Sequence, residues 1–223
     1  MKSSEVLATL KKLGKPQTAA IYKRHESGDN VFGVLTPELV KLRKTIKVDH
    51  ALSQDLWRTG NAEARILALQ IADPAKLTRS AMDKVVEESS AWFFGPYVAE
   101  LVARSPIADD TMRAWMKSKD ESFRQIGYGI LGMRLRDDPD SVSDADAAKI
   151  LATIEKEIHG SPNRSRHAMN GALIAIGVAK SNLRKKATEA AKRIGKVQVD
   201  HGETNCKTPD AAAYIEKAAK RKR

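Results

Sequence analysis

The chain has 223 residues, a single cysteine, 5% aromatic residues and a net charge of +11. That length allows one large domain or two small ones, and the composition favours helices packed on helices over sheets. Cys206 alone excludes an intramolecular disulfide and suits a reducing compartment. No run approaches the ~20 apolar residues needed to span a bilayer, and the opening Met1-Lys2-Ser3-Ser4-Glu5 is a poor signal peptide. A cytoplasmic protein without membrane contact is therefore expected.

In chain order, helix punctuation recurs and strand signals are nearly absent. Thr36-Pro37 reads as an N-cap followed by proline at the first helical position, with Leu39, Leu42 and Ile46 behind it at 3–4 spacing. Asn61 can cap a helix carrying Ile66, Leu67 and Ile71. Ser143 with Asp146 resembles a capping box ahead of Ile150, Ile154 and Ile158. Met169, Leu173 and Ile176 form a later stripe, and Thr208-Pro209 opens a last helix. Breaks at Asp73-Pro74, Ser105-Pro106, Asp138-Pro139 and Ser161-Pro162 are short. Many helices of about 10–16 residues with short turns predict an all-α protein, a bundle or an α-solenoid; fairly regular breaks with weak self-similarity look like degenerate HEAT-like or armadillo-type repeats of antiparallel helix pairs. No composition shift marks a second domain, so one solenoid domain is expected over residues 1–216, with a basic tail over 217–223.

The charge is uneven. Residues 151–223 carry 16 Lys+Arg against 7 Asp+Glu, a net of +9, whereas residues 1–150 carry a net of +2. A basic region beside a near-neutral one points to a polyanionic partner, with a solvated face as the alternative. Arg184, Lys185 and Lys186, with Lys192 two turns beyond Lys185, can follow a phosphate strand without reading bases. His167 beside Arg164 and Arg166 offers another phosphate contact. No helix-turn-helix or zinc finger is present, which argues against sequence-specific readout.

Four segments resemble the bacterial DNA alkylation repair family, the HEAT-like-repeat alkylpurine DNA glycosylases of the AlkD type. They are the run Tyr22 to Val34 with Pro37, Leu39 and Arg43; Leu56-Trp57 with Glu63, Arg65 and Ala68; Trp92 with Leu101-Val102 and Ser105-Pro106; and Met169-Asn170 with the run Ile194 to Pro209 and Tyr214-Ile215. The string Asp200 to Pro209 is the most specific part. The resemblance implies a concave α-solenoid with a basic inner surface for duplex DNA. It also implies removal of cationic alkylated purines through a Trp-Asp-x-x-Asp pattern, where the acid faces developing positive charge and aromatic faces add cation–π attraction.

This sequence keeps Trp92 but places Phe93 and Pro96 at the two acid positions. The family's later aromatic falls at Gly171, and its middle arginine falls near Gln125, beside Arg124. Glu100, two turns after Trp92, is the candidate substitute carboxylate, with an ordinary surface acid as its alternative. Trp57, Tyr97 and Trp115 read as core. Asp200, His201, Glu203 and Cys206 match no zinc spacing, so no metal is expected; a loop packing Cys206 inward and capping the last helix through Thr208 is the simpler reading.

The expected function is backbone-directed binding of double-stranded or branched DNA by a monomer without cofactor and without efficient glycosylase activity. The expected contacts are Trp92, Arg124, Arg164, Arg166, His167, Arg184, Lys185, Lys186 and Lys192. Two alternatives stand beside it: an N-glycosylase using Glu100, and a helical scaffold for another protein.

Overall fold

The structure, a computed structural model, describes residues 1–221. Among them there is no strand, and no helix is long and apolar enough to cross a membrane. The chain divides into two compact units, residues 1–107 and the residues from Ala108 on, where the sequence predicts one continuous helical run.

The first unit contains α1 (Ser3–Leu13), α2 (Pro16–Arg24), α3 (Thr36–Ile46), α4 (His50–Arg58), α5 (Ala62–Ile71), α6 (Arg79–Glu87) and α7 (Ala91–Ala103). It is built around α5, which packs against α1, α3, α4 and α7. Ala62, Ala64, Ile66, Leu67, Ala68, Leu69 and Ile71 are all buried, and only Arg65 and Gln70 stay half-buried. A helix with so wide an apolar face belongs in a core. Asn61 caps it as predicted, its side chain accepting from Ala64 N–H at 3.1 Å. Helix α3 starts one residue earlier than the Thr-Pro signal suggests: Thr36 is its first residue, and Leu35 holds the cap position without a side-chain bond.

The second unit contains α8 (Ala108–Met116), α9 (Glu121–Asp137), α10 (Asp144–Glu157), α11 (Asn163–Ala179), α12 (Arg184–Ile194) and α13 (Ala211–Arg221). Helix α11 is central, packing against α9, α10, α12 and α13. The predicted stripe Met169, Leu173 and Ile176 is fully buried in it. Gly127 lets α8 and α9 approach closely, since a Cβ there would collide with the backbone of Trp115 and Met116. Asp109 accepts from Arg113 and Arg134 at 2.6 and 2.8 Å, and Arg113 reaches Asp146 at 3.1 Å, which ties α8, α9 and α10 together. Ser143 caps α10 as predicted, accepting from Asp146 N–H and donating to its carboxylate. The final helix runs to Arg221, past the 216/217 boundary expected for the tail; Lys222 and Arg223 lie outside the described residues.

Candidate functional site

In the first unit, the segment from Tyr22 to Val34 is held by a buried carboxylate. Glu63, in the first turn of α5, has no exposed surface. Its Oε1 accepts from the N–H groups of Gly33 at 2.5 Å and Val34 at 3.0 Å, and its Oε2 from Phe32 at 3.0 Å. Three consecutive backbone donors wrapped around one carboxylate satisfy it without a cation. The Tyr22 hydroxyl donates to the Val34 carbonyl at 2.8 Å, closing the same loop. Gly33 has φ +84°, and a Cβ there would strike the Lys15 carbonyl and Ala19 N–H. Only glycine fits this turn.

This loop sets Tyr22 against α7. Tyr22 and Phe93 pack edge to face with centroids 5.3 Å apart, and Phe93 packs in the same way on Phe94 at 4.9 Å. Ser90 caps α7, accepting from Phe93 N–H, and its hydroxyl donates to Glu26 at 3.1 Å. Phe93, which the resemblance sets at one of the two acid positions, is thus an aromatic ring within a cluster. The other, Pro96, is exposed inside the helix and cannot donate to the carbonyl four residues back. Trp92 and Glu100 are both half-buried. Burial, then Tyr22 and Glu100, push the Tyr97 phenol above its usual range, which keeps it neutral. Trp115 is core, 2% exposed. Trp57 is not: it is half-buried, donates to Glu88 at 3.1 Å and carries the Arg65 guanidinium 4.7 Å above its ring.

In the second unit the expected cations separate into two groups. Arg124 on α9 is mostly buried and pairs with Glu157. Arg184 donates from Nε to the Gly177 carbonyl at 3.2 Å. Arg164 and Arg166 are half-buried near the start of α11; the Arg164 N–H donates to Glu121 at 2.6 Å, and Arg166 reaches Asn163 only at 3.4 Å. Lys185 and Lys186, by contrast, are exposed on α12. Lys192 is exposed too and pairs with Glu216 at 3.2 Å, an ion pair worth little because both ends are in water. Gly171, which the resemblance sets at the family's later aromatic, is exposed, and a Cβ there would meet nothing.

Averaging over residues 1–150 hid a second basic region. Residues 1–50 carry a net +5 and residues 51–150 a net −3. Lys11, Lys12, Lys15, Arg24, Lys44 and Lys47 are all exposed. A sliding charge count would have found them. Several lie in last turns of α1, α2 and α3, where they also offset the helix dipole.

The segment between α12 and α13 departs from expectation in two respects. Cys206 is exposed rather than packed inward. Thr208 does not cap α13; it bonds His201 Nε2 at 3.0 Å, while Asp210 accepts from Ala213 N–H at 2.9 Å. Asp210, two residues on, supplies the cap, and the Thr208 hydroxyl is engaged by His201 instead. Among the described residues, no three His, Cys, Asp or Glu side chains converge to hold a metal. His167 packs edge to face on His201 with centroids 5.2 Å apart. Burial, then His201, hold the His167 imidazole below its ordinary 6.5. The fold therefore favours the neutral ring. Its stabilising contribution is complete above pH 6.5 and falls as pH drops through the unfolded value toward the depressed folded one. The thermal midpoint of the transition that unfolds the second unit, followed by probes in α9 and α11 from pH 7.5 to 5, should fall below about pH 6.5, and His167→Phe should flatten that slope. An unchanged slope in the variant would refute the assignment.

Comparison with known proteins fits this anatomy. A solved protein described as one of a new family related to the HEAT-like repeat DNA glycosylases, with affinity for branched DNA structures, matches with a TM-score of 0.92. The match covers 100% of this chain and 96% of that one at 30% identity. The fold is thus of the HEAT-like repeat type. Uncharacterized protein Lin0241 of Listeria innocua and Uncharacterized protein Lmo0209 of Listeria monocytogenes are each 31% identical over 220 residues, 95% of both chains. The family described as DNA alkylation repair enzyme matches residues 6–215. The chain belongs to the DNA alkylation repair family.

Proposed function

We propose that this chain binds DNA through its phosphate backbone, with duplex or branched DNA as ligand, and does not excise bases efficiently. The observation that carries the reading is the exposed cationic face of α12, Lys185 and Lys186 above all, in a region of net charge +9. Such a face contacts phosphates and carries no base information. The affinity for branched DNA ascribed to the solved relative supports branched forms as ligands. A gel-shift series with duplex, nicked and four-way DNA tests it. Binding to each is expected, and no shift with any of them would overturn the reading.

The missing chemistry rests on Phe93 and Pro96. A glycosylase must stabilise positive charge on the departing sugar, and losing one preorganised electrostatic group costs ~10²–10³ in rate. Release of 7-methylguanine should therefore fall at least about a hundredfold below that of a relative bearing both acids. Glu100 is half-buried on the same helix as Trp92, so it carries the competing reading. Glu100→Gln should leave excision unchanged. Family-like excision by the wild type, abolished by that substitution, would establish Glu100 as the catalytic carboxylate.

A further inference from the structure

Sixteen residues, 195–210, join α12 to α13 without regular structure. Connections of that length in a compact unit are uncommon and usually functional. This one is fastened at several points. The Asn163 amide exchanges two 2.7 Å bonds with the backbone of Asp200, Asn170 donates to the Pro209 carbonyl at 3.0 Å, and His159 bonds the Ile194 carbonyl at 2.9 Å. The segment and the helices beside it line a half-open groove of about 850 Å³, within the size range of small-molecule sites.

The lining has two characters. Val197, Val199, Pro209, Ala191 and Ala212 give apolar wall, while Lys196 and Lys207 bring exposed ammonium groups and Lys192 a third that is paired with Glu216. Among the described residues, Asp210 is the only carboxylate in the lining, and it is engaged in capping α13. Among the described residues, no hydrogen bond holds the backbone of Lys196, Val197, Gln198 or Val199. That backbone presents N–H donors and carbonyl acceptors alike, and the charged groups of the lining are mainly cationic. The groove suits a ligand with a strongly anionic end and an apolar, flat body.

We propose that this groove binds a phosphate-bearing nucleotide. The lysines meet the phosphate, and the valine and proline wall meets the sugar and base. The site rests on the DNA-binding reading for its biological ligand: a phosphorylated strand end or a nucleotide of a continuous strand, both abundant at branched DNA. The chemistry of recognition is the same in either case.

The test uses the full chain. In ¹H–¹⁵N spectra, thymidine 5′-monophosphate should shift the amides of Gly195, Val197 and Cys206, while thymidine should shift them at least about tenfold more weakly in affinity. Lys196→Glu with Lys207→Glu should abolish the response; both side chains are exposed, so the circular dichroism should not change. Equal responses to nucleotide and nucleoside, or none at millimolar nucleotide, would overturn the site. So would a response that survives the double substitution. Flapped DNA with and without a 5′-phosphate identifies the source. A preference for the phosphorylated flap, lost in the double variant, assigns the strand end. Equal affinity for the two, weakened alike by the double variant, assigns a phosphodiester. DNA binding without any nucleotide response would leave the α12 reading standing and remove the groove site. A nucleotide response without DNA binding would do the reverse.

Discussion

Replacing Glu63 by alanine should destabilise the first unit by about 3–5 kcal/mol. The carboxylate has no exposed surface and accepts three consecutive backbone N–H groups, those of Phe32, Gly33 and Val34. Its removal leaves three donors facing an apolar void, each costing about 1–3 kcal/mol unless water enters. Against a typical domain stability of about 5–15 kcal/mol, that is a large share. Glu63→Gln keeps one acceptor and shape, so it should cost less, about 1–3 kcal/mol. With two compact units, a single unfolding curve does not isolate the effect. Amide hydrogen exchange does. Phe32, Gly33 and Val34 should be protected in the wild type and exchange rapidly in Glu63→Ala, while α9 and α11 stay protected. Protection unchanged at those three amides would mean that the carboxylate does not hold the loop. The consequence reaches the aromatic cluster, because the Val34 carbonyl of that loop accepts from the Tyr22 hydroxyl and Tyr22 of α2 packs on Phe93.

Local signals were legible where the partner lies within one turn. Asn61 and Ser143 announced their caps because the acceptor and the donor are three residues apart. Thr208 misled because its partner, His201, is seven residues away across an irregular segment. Glu63 is harder still. In the sequence it is an ordinary acid in the first turn of a helix, and its three donors lie about thirty residues earlier. Only the tertiary fold brings them together. The same holds for the cations. Composition shows that the last third is basic, and Arg184, Lys185 and Lys186 look equivalent there. Packing separates them: Arg184 turns to the Gly177 carbonyl, while Arg124 on α9 is paired with Glu157. The acid positions at Phe93 and Pro96 were legible through resemblance, but the aromatic cluster that fills one of them was not, since Tyr22 arrives from another helix.

Charge reversal at Lys185 and Lys186 is the decisive measurement for DNA binding. Both are exposed on α12, so changing them leaves the core of the second unit untouched. Arg184 stays in place, because its Nε bond to Gly177 would confuse lost binding with lost packing. If phosphates supply most of the affinity, log affinity falls linearly with log salt, by about 0.9 for each phosphate neutralised on duplex DNA. Lys185→Glu with Lys186→Glu removes two such contacts and adds two repulsions. Affinity should fall about ten- to a hundredfold at moderate salt, and the slope should shrink by about 2. The loss should be nearly equal for duplexes of unrelated sequence, since backbone contacts fix position without reading bases. Two results would contradict this account. A wild-type slope near zero would mean that the basic last third does not touch phosphates. A loss confined to one sequence would mean that α12 reads base edges, which two lysines in a backbone-tracking role cannot do.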